Sequence, residues 1–108
     1  MSYKIKTISV FDRNIKKLAK KYPSIKLDFA DFLESLSENP TQGTSLGNNS
    51  YKIRMQISSK KKGKSGGARI ITHLVIHNET VYLLTIYDKS EQETISDKQL
   101  RELINLIE

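Results

Sequence analysis

The polar chemistry available to this chain is mostly cationic, and its spacing is the informative feature. Lys52 and Arg54 are two residues apart, Arg69 opens a later apolar stretch, and Tyr87 and Lys89 again stand two apart. Along an extended strand, side chains two apart share a face. Each pair therefore points its groups to one side. Take the more apolar parity of each predicted strand as the helix-covered one. The opposite face then carries Lys52, Arg54 and Gln56, next Arg69, Ile71 and His73, and finally Val81, Leu83, Thr85, Tyr87 and Lys89. Four clustered cations repel one another unless an anion visits them, so the functional reading is a phosphate-binding face. The alternative is ordinary polar-out alternation with hydrated lysines.

A second basic feature lies between two predicted strands. Ser59 to Gly67 is glycine-rich and contains Lys60, Lys61, Lys62 and Lys64, which suits loose contact with an RNA or DNA backbone. Its Gly63-Lys64-Ser65 triplet is not a nucleotide-binding loop, because Ser58 stands where the first glycine belongs and a strand, not a helix, follows. His73 and His77 are four residues apart on a strand, about 13 Å, too far to share a metal. With no cysteine in the chain, no metal site and no cofactor are expected. His73 is a candidate general base, although its neighbours Ile71 and Val75 also suit a packed strand residue.

Periodicity supplies the elements that must position these groups. Tyr3, Ile5 and Thr7 predict a short first strand. Phe11, Ile15, Leu18, Ala19 and Tyr22 recur at helical spacing, with lysines on the other side, and Pro23 ends that helix. Ser24 is the expected N-cap of a second helix carrying Ile25, Phe29, Phe32, Leu33 and Leu36, which Asn39-Pro40 stops. Thr41 to Ser50 reads as a loop. Tyr51, Ile53, Met55 and Ile57 form the clearest period-two segment. Ala68–Ile76 and Val81–Tyr87 read as a hairpin, with Tyr82, Leu84 and Ile86 expected beneath the helices. Ser96 and Gln99 have the spacing of a capping box before a last helix bearing Leu100, Leu103, Ile104 and Ile107. The order β-α-α-β-β-β-α predicts one α+β domain over residues 1–108. A small, mostly antiparallel sheet carries the two N-terminal helices on one face, followed by a C-terminal helix.

Composition narrows the classes further. The 108 residues carry a net charge of +6, and residues 51–75 hold seven bases and no acid, which favours a polyanionic partner. No apolar run approaches the ~20 residues of a membrane span. Met1–Val10 has no apolar secretory core, so a cytoplasmic protein without a membrane partner is expected.

Gly63-Lys64-Ser65-Gly66-Gly67-Ala68-Arg69, followed about twenty residues later by Tyr87-Asp88-Lys89-Ser90-Glu91, resembles the RelE/HigB-type toxins of type II toxin–antitoxin systems. Tyr51-Lys52-Ile53-Arg54 after Asn39-Pro40 resembles that family's second strand. The resemblance implies a ribosome-dependent endoribonuclease that cuts mRNA without a metal, by attack of a ribose 2′-hydroxyl on the adjacent phosphate. It implies a cognate antitoxin, the ribosome and mRNA as partners. It carries over Lys52 and Arg54 as base or phosphate ligands, Arg69 as transition-state stabiliser, and Lys89 or Tyr87 as the acid-side group. Some relatives use histidine or aspartate, which keeps His73 and Asp88 as candidates. The alternatives are a ParE-like toxin that inhibits DNA gyrase without cutting RNA, or an inactive member that only binds its antitoxin.

Overall fold

A computed structural model describes residues 3–60, 63, 66–92 and 94–107. The elements are β1 (Lys4–Thr7), α1 (Ser9–Lys21), α2 (Ile25–Glu38), β2 (Thr44–Gly47), β3 (Ser50–Met55), β4 (Ala68–Val75), β5 (Thr80–Asp88) and α3 (Asp97–Ile104). They form a five-stranded mixed sheet of order β1-β5-β4-β3-β2. Only the β1–β5 pair is parallel. This is the expected α+β arrangement with one added edge strand. None of the described helices is long and apolar enough to cross a membrane.

Helices α1 and α2 cover one face of the sheet. Phe11, Leu18, Ile25, Phe32 and Leu36 pack there on Ile53, Met55, Ile70, Leu74 and Ile86. Burying each such side chain is worth roughly 1.5–3 kcal/mol, which makes this layer the main source of stability. Helix α3 covers part of the other face, where Leu100 packs with Ile8, Ile71, Leu84 and Tyr87. Ser96 caps α3 as its spacing predicts: its side chain accepts from the Gln99 backbone, and the Gln99 side chain accepts from the Ser96 backbone.

Two local expectations are corrected and a third is refined. Thr44–Gly47 is a strand, because Asn48 and Asn49 both take positive φ (51° and 57°) and close a two-residue hairpin turn onto β3. Ser24 does stand at the N-cap of α2, but its side chain makes no cap hydrogen bond; its hydroxyl donates to Asp28 at 2.7 Å and accepts from the Ser59 backbone at 2.9 Å. In β5 the parity reverses midway. Ile71 pairs with Thr85 but Thr72 with Leu83, so Leu84 is an extra residue in the ladder. This bulge sends Val81 and Leu83 under the helices, while Leu84 and Tyr82 join the α3 side. The expected placement of these four residues was the reverse. Past the end of β4, Ile76 is 58% exposed in the turn that leads to β5.

Candidate functional site

On β3 the unbroken alternation puts Ile53 and Met55 in the core and leaves Lys52 and Arg54 on the opposite face. β4 runs antiparallel beside it. Lys52 pairs with Ile71 and Arg54 pairs directly with Arg69. Arg69 in turn pairs with Tyr87 of β5. Immediately beyond β5, Lys89 is held in place as its backbone N–H donates to the Gly67 carbonyl at 3.1 Å.

The result is an open cleft of about 410 Å³ lined by Lys52, Arg54, Arg69 and Lys89, with Gln42, Gly43 and Thr44 forming the wall beside β2. Among the described residues that line it, none is acidic. Arg54 and Arg69 are thus like charges directly opposite on an antiparallel pair, an arrangement unfavourable in itself. Arg69 is 5% exposed, and its Nη1 donates to the Ala68 carbonyl at 3.1 Å. It is a fixed, largely desolvated cation at the floor of the cleft. Lys52 and Lys89 are half-buried at its sides, and Arg54 is exposed.

The wall of Gln42 and Gly43 was not legible in the sequence. Gly43 has φ +95°, and a Cβ there would stand 2.4 Å from the Lys52 carbonyl oxygen. Only glycine lets the connector pass so close to the strand that carries Lys52.

Tyr87 does not line this cleft. Its ring packs among Ile8, Ile71, Leu84 and Leu100, and its enclosed hydroxyl has no hydrogen-bond partner among the described residues. Burial pushes the hydroxyl above its ordinary pKa, against the opposing pull of Arg69. His73 also stands apart, near the far end of β4, with Nδ1 2.9 Å from the Ser50 hydroxyl, and burial lowers its pKa.

Lys60 is not a loose loop cation. Its Nζ lies 2.8 Å from Asp88 Oδ1 in a buried ion pair and 5.5 Å from the centre of the Tyr22 ring. Asp88 is 1% exposed and also accepts from the Tyr22 hydroxyl at 2.6 Å and from Ser90. Burial alone would raise its pKa; the bonds from Lys60, Tyr22 and Ser90 outweigh that and hold the carboxyl far below the usual range. Lys61, Lys62 and Lys64 lie outside the described residues. Among the described residues, no three His, Asp or Glu side chains gather where they could hold a metal ion.

This fold recurs in solved structures. A double arginine-to-alanine mutant of the E. coli toxin RelE in the free state superposes with a TM-score of 0.63 at 15% identity, covering 100% of both chains. The chain has the RelE toxin fold. A second structure of isolated E. coli RelE gives 0.57 at 14% identity, covering 98% of this chain and 100% of that one. The RelBE2 toxin–antitoxin complex of Mycobacterium tuberculosis gives 0.59 at 16% identity, covering 82% and 99%. No protein-family model matches the sequence.

Proposed function

We propose that the chain is the toxin of a type II toxin–antitoxin pair and that it cuts mRNA on the ribosome without a metal ion. The observation that carries this reading is the convergence of Lys52, Arg54, Arg69 and Lys89, drawn from three separate stretches of sequence, in one cleft whose described lining residues include no acid. The RelE toxin fold and the sequence resemblance support the same reading.

The reaction that suits this cleft is internal transesterification. The ribose 2′-oxygen attacks the adjacent phosphorus, the bond from phosphorus to the 5′-oxygen breaks, and a 2′,3′-cyclic phosphate remains. One proton leaves the 2′-hydroxyl and one reaches the departing 5′-oxygen. Negative charge accumulates on the phosphate oxygens as the new bond forms. Fixed donors aimed at that charge usually supply the largest catalytic term, and this is the role of Arg69 with Arg54. Lys52, across the cleft mouth, takes the base side, and Lys89 takes the acid side. Tyr87, beside Arg69 on β5 but outside the cleft lining, has no part in this step.

A cognate antitoxin is the proposed protein partner, bearing an acidic or amphipathic segment that lies over the basic cleft or the apolar seam of α3. The deciding experiment is induced expression with mapping of mRNA 5′ ends on translating ribosomes. Breaks recurring with the reading frame are expected, and they should vanish in Arg69→Ala. Intact message accompanied by DNA damage would overturn the reading in favour of gyrase inhibition.

A further inference from the structure

Beside the basic cleft lies a smaller hollow that also carries carboxylates. Gln42 and Arg54 line both. The hollow measures about 180 Å³ and lies between α2 and the end of β3, with Asp31, Phe32, Met55 and Gln56 on its walls. At ~30 Å³ per water it holds about six waters, the scale of a single planar ring system.

Three features say what such a ring must offer. Phe32 and Met55 supply apolar walls. The outer edge of β3 is bare here: pairing with β2 ends at Thr44 with Lys52, and no described strand runs beside Arg54 and Met55 on that side. Backbone donors and acceptors are therefore available along the rim. Finally, the described residues lining the hollow include the carboxylates of Asp28 and Asp31, with Arg54 the one cation among them. Asp28 is committed, accepting from the Ser58 backbone at 2.8 Å, from the Ser58 hydroxyl at 2.6 Å and from Ser24 at 2.7 Å. Asp31 is exposed, and among the described residues no hydrogen bond or ion pair engages it. Its carboxylate repels phosphate and accepts from N–H groups.

We propose that this hollow is a nucleobase subsite. It takes the base of a nucleotide whose phosphate lies in the Lys52–Arg69 cleft, and Asp31 favours bases bearing an exocyclic amine over uracil. Arg54 stands where the two sites meet, between phosphate and base. The inference rests on the ribonuclease reading for where the phosphate sits.

The test uses the full chain and short RNA oligonucleotides made uncleavable by 2′-O-methylation, identical but for cytosine or uracil at one position, with binding read by fluorescence anisotropy. The wild type should bind the cytosine oligonucleotide about tenfold more tightly, the scale of one good base-edge contact. Asp31→Asn can meet either base and should remove the difference. Asp31 is exposed on a helix, so this variant keeps the fold, which circular dichroism verifies. Arg54→Ala should weaken both oligonucleotides together. Equal affinities in the wild type, or a preference unchanged in Asp31→Asn, would overturn the subsite. Selective binding with no cleavage on ribosomes would sink the ribonuclease reading and leave the subsite standing. In-frame cleavage with base-blind binding would do the opposite.

Discussion

Arg54 and Arg69 face each other as register partners across β3 and β4, two cations where an antiparallel pair ordinarily places complementary groups. A sheet that needed only stability would not choose this pairing. Its consequence is a trade between stability and activity that can be measured at Arg54, the exposed member. Arg54→Ala should leave the thermal midpoint unchanged or slightly raised while lowering ribosome-dependent cleavage by about 10²–10³, the usual effect of removing one preorganised charge-stabilising donor. Parallel thermal unfolding and cleavage assays check this; a variant that loses stability and activity together would make Arg54 a structural residue.

Gly43 offers a separate way to disturb the cleft, through the backbone. A Cβ at this position meets the Lys52 carbonyl at 2.4 Å and Ile53 Cγ1 at 2.9 Å, with φ already at +95°. Gly47, at φ +84°, has nothing within 4 Å. Gly47→Ala should therefore cost only the conformational penalty, about 1–2 kcal/mol. Gly43→Ala must also push β3 and its Lys52 aside. It should lose at least about 1 kcal/mol more, and cleavage should fall with it. Urea unfolding of the two variants side by side reads the difference, and equal losses would show that the connector moves without carrying Lys52.

Much of this architecture is visible in the letters, and the exceptions have physical causes. Strict alternation from Tyr51 to Met55 placed Lys52 and Arg54 correctly because β3 is regular and one of its faces is buried. The same parity failed across β5 because one inserted residue, Leu84, exchanges the faces of everything before it, and a run as uniformly apolar as Val81–Leu84 gives no sign of where an insertion falls. β2 went unread because three of its four residues are Thr, Ser and Gly, with Leu46 the one apolar side chain. Its hairpin signal lay in Asn48-Asn49, a pair that tolerates positive φ. Lys60 looked like part of a solvated lysine run. Its partner Asp88 is 28 residues away, a pairing that tertiary structure alone creates.

His73 gives a prediction about protons rather than phosphates. Desolvation lowers its pKa from the ordinary 6.5. Between the folded value and 6.5 the unfolded chain therefore holds more protons than the native one, so this group makes stability rise with pH through that window and leaves it level below and above it. His73→Gln should flatten this slope, as seen by chemical denaturation from pH 5 to 8. Cleavage should stay within about threefold of wild type, because a general base must stand within hydrogen-bond reach of its proton and His73 is instead engaged with Ser50. A collapse of activity in this variant would move the base from Lys52 to His73.

Asp88 links the end of β5, the turn at Ser58–Lys60 and the end of α1 through one buried carboxylate. Removing a partner from such a group leaves charge without compensation, typically at a cost of about 3–5 kcal/mol. Lys60→Met should fall at the lower end, since Tyr22 and Ser90 still donate to Asp88. The pH dependence has a definite sign. The folded carboxyl titrates far below the ordinary aspartate value of 3.8, so its contribution is complete above that value and is lost as pH falls towards the folded one. The stability gap between wild type and Asp88→Asn should thus be constant from pH 7 down to about 4 and narrow below it. A gap that closes already near pH 6 would mean that the carboxylate is not held as the Lys60 and Tyr22 contacts require.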